Sequence, residues 1–282
     1  MRLILAPTTA LLLPEVDPGE SHEFARFRDH VLGPLRETAA HGPLGVLLSE
    51  DPLPGALLAS LGGIGLDHAV LLRPLPAEPD AGQKHRDRAG QRDEAAPAWT
   101  PEHLSGPELE AALYSGQVRV LSLADAVLVL LAAHATGDGS LRLRNRRDLD
   151  RLEEGAWLAG LDLAADAHPH SPVPHDPDGA AVNRRLIHVL RESDLSDVSG
   201  RDGLAARAAG HTGDVTVLRT LAEAGRRPVT TGLHIHAEHG IDYLTVALDL
   251  TAAPRPACGA RPHPRRDPGA GTQAGLNADQ QL

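Results

Sequence analysis

The chain has one cysteine, Cys258, and aromatic residues make up only 2% of its 282 positions. A lone cysteine excludes intramolecular disulfides and any cysteine-rich metal knuckle, and it suits a cytoplasmic setting. The shortage of rings leaves an aliphatic core and little surface for stacking on bases or sugars. The formal net charge of -11 argues further against a phosphate-binding face, so a nucleic-acid partner is not expected. No apolar run approaches the roughly 20 residues of a membrane span. The stretch from Arg2 to Val16 carries Pro7 and Pro14 and no small-residue cleavage pattern, so neither anchor nor leader is expected. Self-association into a homo-oligomer stays open.

What is present reads as alternating strands and helices. Arg2 to Ala6 suits a buried strand ended by Pro7, which places Thr8 and Thr9 at its C-terminal end, where open α/β sheets hold ligands. Phe24, Phe27, Val31, Leu32 and Leu35 recur at helical spacing after a cap at Ser21. Leu44 to Leu48 predicts a second strand, Pro54 to Leu61 a short helix, and His68 to Leu72 a third strand. The apolar run Ala124 to Ala133 fits a buried helix or a buried strand, and Val127 to Leu131 reads as strand. Arg142 to Arg151 reads as a solvated helix face, continued by a polar helix carrying Leu149, Leu152, Trp157, Leu158 and Leu161. Ala180 to Glu192, Leu204 to Ala208 and Val215 to Ala224 predict three more helices. Two strand-like runs split by Gly240 close the pattern. The expectation is a single α/β domain over residues 1–251, with a mixed, mostly parallel sheet flanked by helices. A flexible insert is expected near 76–106 and a disordered tail over 252–282.

Sixteen histidines make metal binding the first chemistry to consider. If Leu233 to Glu238 is one strand, its two-residue period puts His234, His236 and Glu238 on one face, with His239 or His41 available to complete a set. The same alternation also describes a half-exposed strand without a function. His168, His170 and His175 lie in a Pro-rich loop and read as solvated surface, and His68 stands alone. Gly62-Gly63-Ile64-Gly65 lacks the lysine and the spacing of a phosphate cradle. No serine has a nucleophile-elbow context.

Two stretches carry a resemblance. Pro7-Thr8-Thr9-Ala10-Leu11-Leu12-Leu13-Pro14-Glu15 follows the first strand, and Gly240-Ile241-Asp242-Tyr243-Leu244-Thr245-Val246 follows helices bearing Ala208-Ala209-Gly210-His211 and Val215-Thr216-Val217-Leu218. Between them, Asp138-Gly139-Ser140 is similar to an Asp-x-Ser turn that ends a central strand. Together these resemble the class III extradiol ring-cleavage dioxygenase subunit-B-like family. The resemblance implies the family's α/β fold and, in active members, a ferrous ion held by two histidines and a glutamate beside a histidine acid/base. Here Thr8 stands at the first ligand position and Leu141 at the acid/base position. Thr8 is no substitute for imidazole, and Leu141 moves no proton. His41 or His68 would have to supply the second ligand histidine and Glu238 the carboxylate. The implied protein is a degenerate member, a pseudoenzyme that needs no cofactor and binds or scaffolds through the cleft beside Thr8 and Thr9. The alternative is a metal-dependent oxidoreductase or hydrolase that holds Fe(II) or Zn in a rebuilt site of His234, His236 and Glu238.

Overall fold

A computed structural model describes residues 1–14, 16, 22–52, 55–66, 68–75, 97–137, 139–238 and 240–250. The expected cap Ser21, the turn residue Asp138, His239, most of the expected insert (76–96) and the expected tail lie outside the described residues.

Ten strands form one mixed sheet. In chain order they are β1 (Arg2–Ala6), β2 (Leu44–Leu48), β3 (Ala56–Ser60), β4 (Ala69–Pro74), β5 (Ala98–His103), β6 (Val118–Val120), β7 (Leu141–Asn145), β8 (Ala156–Gly160), β9 (Val229–Glu238) and β10 (Ile241–Asp249). Their order across the sheet is β6-β3-β4-β5-β7-β2-β8-β1-β10-β9. The inner strands β7, β2, β8 and β1 run parallel, and antiparallel strands extend the sheet on both sides. Of the nine pairings four are parallel and five antiparallel, so the sheet is mixed but not mostly parallel.

Side-chain alternation sorts the core onto two faces. Ile4, Ala6, Val46, Leu48 and Leu158 meet α1 (His22–Ala39) and α3 (Leu123–Thr136) on one face. Leu3, Leu5, Leu47, Trp157 and Ala159 meet α4 (Pro177–Glu192), α5 (Leu204–Gly210) and α6 (Thr216–Glu223) on the other. The remaining helix, α2 (Gly106–Tyr114), places Leu109 against Leu58 and Ala69 of the outer strands. Phe24, Phe27, Val31, Leu32 and Leu35 are all buried, as the helical spacing predicts. Each contributes roughly 1.5–3 kcal/mol by leaving water. Gly45 allows Trp157 to lie across β2, since a Cβ there would stand 2.2 Å from the indole. No helix among the described residues is long and apolar enough to cross a membrane.

Several expectations are corrected. Val127 to Leu131 belongs to helix α3, not a strand. That helix is buried from Asp125 through Ala133, so it has no polar stripe to betray its period. Ala56–Ser60, within the helix expected at 54–61, forms β3 instead, and Ala98–His103, inside the expected insert, forms β5. The arginine-rich run begins as β7, in which Leu141, Leu143 and Asn145 turn inward while Arg142 and Arg144 reach Glu153. The polar helix expected around Trp157 is strand β8, fully inside the sheet, preceded by a short 3-10 turn at Arg146–Arg151.

Candidate functional site at the C-terminal edge of the sheet

Parallel strands β1, β2, β7 and β8 all end at one edge. Because β10 runs antiparallel to β1, the start of β10 and the end of β9 reach that same edge. The register pairs Ala6 with Gly160, and two residues further on Thr8 meets Asp162. The Thr8 N–H donates to Asp162 Oδ1 at 2.8 Å and its hydroxyl to Oδ2 at 2.5 Å. Gly160 makes this closure possible, since a Cβ there would come within 2.8 Å of Thr8 Cγ2.

A second clasp of the same kind follows β2. The Ser49 N–H donates to Asp125 Oδ1 at 2.9 Å and the Ser49 hydroxyl to Oδ2 at 2.6 Å. Asp125 lies in the first turn of α3, after the N-cap Ser122, so its charge also meets the positive end of that helix. The loop after β8 and the approach to α6 are joined by an exchange of backbone hydrogen bonds between Asp162 and Asp214. Arg146 Nη1, one residue past β7, donates to Asp214 Oδ2 at 2.7 Å.

Electrostatics differ between these groups. Burial pushes the Asp162 carboxyl above the usual aspartate range, against the two hydrogen bonds from Thr8, and the neighbouring Asp214 adds to the rise. Burial also acts upward on Asp214, but the Thr216 N–H and Arg146 outweigh it and hold that carboxyl below the usual range. Tyr243, at the start of β10, is pushed up by burial and by Glu238, while its hydrogen bond with Thr9 pulls the other way.

Between the two clasps lies a small cavity of about 30 Å³. Its polar lining is Thr8, Ser49, Asp125, Arg146 and Asp214, and its apolar walls include Leu47, Leu128, Ala159 and Val217. No family model matches the chain, and no curated protein matches it either.

The predicted site residues fall in different places. Thr8 and Thr9 do reach the expected edge. Thr9 caps a 3-10 turn at Ala10–Leu12 and accepts the Leu11 N–H at 3.4 Å. On β9, His236 and Glu238 come together, with Nε2 and Oε2 3.1 Å apart. The His236 ring packs on Phe24, Phe27 and Tyr243. His234 instead stacks face to face on His30 of α1, ring centroids 3.7 Å apart, and burial followed by the His30 charge lowers its pKa. Among the described residues, the group of three that could share an ion is Asp166, Asp176 and His211, and it contains none of the β9 residues. His41 hydrogen-bonds the Glu37 carbonyl at the end of α1, just ahead of β2, at the opposite edge from Thr8. His68 precedes β4 and faces His103 at 6.0 Å. Leu141 opens β7, so it too lies at the far edge, buried in the core, and Gly139–Ser140 links helix α3 to that strand instead of ending one.

Thr8 is hydrogen-bonded to Asp162, and Leu141 lies at the far edge of the sheet, buried in the core. Ser49, Asp125, Arg146, Asp162 and Asp214 were not singled out by the sequence. A hydroxyl residue directly after a short apolar strand was the available signal for Ser49, and Ser122 with Asp125 three residues later is the helix-start signal for the other half of that clasp.

Proposed function

We propose that this chain is a catalytically degenerate relative of the class III extradiol ring-cleavage dioxygenase subunit-B-like proteins, and that it binds a small hydrogen-bond-donating group in the cleft beside Thr8. One observation carries the reading: the residue at the first ligand position gives both its N–H and its hydroxyl to Asp162. A hydroxyl held at 2.5 Å from a carboxylate is engaged as a donor, and releasing it for a metal would take from the part-buried Asp162 Oδ2 the donor that meets it.

Acceptors dominate what the cleft offers. The donors of Thr8 and Ser49 are spent on aspartates, and Arg146 gives one of its N–H groups to Asp214. Hydroxyl lone pairs and the carboxylate oxygens of Asp125 and Asp214 line the cavity, with the rest of the Arg146 guanidinium beside them. Two carboxylates, Asp125 and Asp214, line the cavity against the one guanidinium of Arg146, so the local field favours an ammonium-like head over an anion. The volume of about 30 Å³ suits a small head group and is tight for a catechol ring. The test is oxygen uptake by the purified protein, loaded with Fe(II) under anaerobic conditions and then given catechol and oxygen. No ring-cleaved product above the protein-free control is expected. Stoichiometric product would overturn the reading.

A further inference from the structure

Outside the cleft, a second set of titratable groups joins three separate segments. Asp166 lies in the loop after β8, Asp176 is the N-cap of α4 and His211 the C-cap of α5. Each brings one potential ligand atom to within 4.8 Å of the other two. His211 Nδ1 stands 2.7 Å from Asp166 Oδ2 and 4.0 Å from Asp176 Oδ2.

An ion pair between His211 and Asp166 accounts for only part of this arrangement. It uses one oxygen of Asp166, and the other, Oδ1, is buried and accepts no hydrogen bond from the protein. A buried acceptor left in that state is costly, and a cation is one way to satisfy it. The side chains of Asp166 and His211 are only 15% and 16% exposed, while that of Asp176 is 47% exposed, which gives two walled ligands and one open side for entry and for water ligands.

We infer that Asp166, Asp176 and His211 hold a divalent transition-metal ion of the zinc class. Two carboxylates and an imidazole are donors such an ion accepts, and three protein ligands leave further positions to water. Bound there, the ion ties the loop after β8 to α4 and α5. That loop carries Asp162 and the segment after His211 carries Asp214, so the ion steadies the floor of the cleft without entering it. The inference does not depend on what the cleft binds.

The test is Zn(II) titration by calorimetry, with elemental analysis, on full-length, tag-free, metal-stripped protein. Wild type is expected to take up one equivalent and to unfold at a higher temperature when loaded. His211→Gln and Asp176→Asn are each expected to weaken binding by at least about tenfold. Asn caps a helix as well as Asp does, so the Asp176→Asn loss reads the ligand and not the fold. A His234→Ala/His236→Ala variant is expected to bind as wild type does. No saturable binding by wild type, unchanged binding in both Asp176→Asn and His211→Gln, or loss of the ion in the β9 variant would each overturn the assignment.

Discussion

The cleft and the β9 histidine row solve opposite problems with polar side chains. In the cleft, aspartates are drawn into the frame and each oxygen of Asp125 and Asp162 is met by a donor from the end of a neighbouring strand. Along β9 the imidazoles stay near the surface and find rings: His234 meets His30, and His236 meets Phe24, Phe27 and Tyr243. The difference is one of position. The cleft lies where parallel strands end and backbone donors point outward, and β9 is an edge strand whose face is covered by α1. On this strand His234 packs on His30 and His236 packs on Phe24 and Phe27 while pairing with Glu238, and the hydroxyl–aspartate pairs take the position that the topology favours for ligands.

The comparison breaks most visibly if the two regions prove equally dispensable. Asp125→Ala leaves the Ser49 N–H and hydroxyl without their acceptor and removes a charge from the first turn of α3. The expected loss is about 2–4 kcal/mol in chemical denaturation. A smaller effect is expected from Asp162→Asn, within about 1 kcal/mol near neutral pH, because burial already disfavours the charge of Asp162. The pH dependence sharpens this. A raised carboxyl contributes stability that is fully present below its unfolded pKa of about 3.9 and lost as pH rises through the folded value. The wild-type advantage over Asp162→Asn should therefore shrink from acid to neutral pH, and an advantage that grows would contradict the burial argument. Smallest of all, His234→Ala should cost about 1 kcal/mol or less. His234 has a depressed pKa, so its contribution is present above the unfolded value of about 6.5 and is lost as pH falls through the folded value. Lower protection of α1 and β9 amides on acidification, relative to the slower intrinsic exchange in acid, would report that, and protection indifferent to pH there would remove the His30–His234 stack as its cause.

Much of the frame was legible in the sequence wherever one face of an element stays wet. The stripe on α1, the stripe on α4 and the Gly240 break between β9 and β10 all follow from periodicity, and Gly240 does adopt the positive φ of 73° that the turn asks for. Three of the failures share a cause, which is burial on nearly every side. Helix α3 has no polar stripe, and β3 and β8 are five-residue runs whose Ala, Leu and Gly do not choose between helix and strand. Arg142 and Arg144 masked a strand because their alternation with Leu141 and Leu143 was read as charge and not as period two. For the site, the strand-end position of Thr8 and Thr9 was legible from topology alone. Asp162, Asp214 and Asp125 were not, because their partners lie 154, 52 and 76 positions away in the chain.

The central claim, that the cleft and not the β9 row is the binding surface, is tested most directly by mapping backbone amide shifts during titration with methylammonium. Saturable shifts centred on Thr8 and Ser49, weakened by Asp214→Asn, are the predicted result. Shifts centred on His234, His236 and Glu238, or no saturable shift at Thr8 and Ser49, would contradict the account.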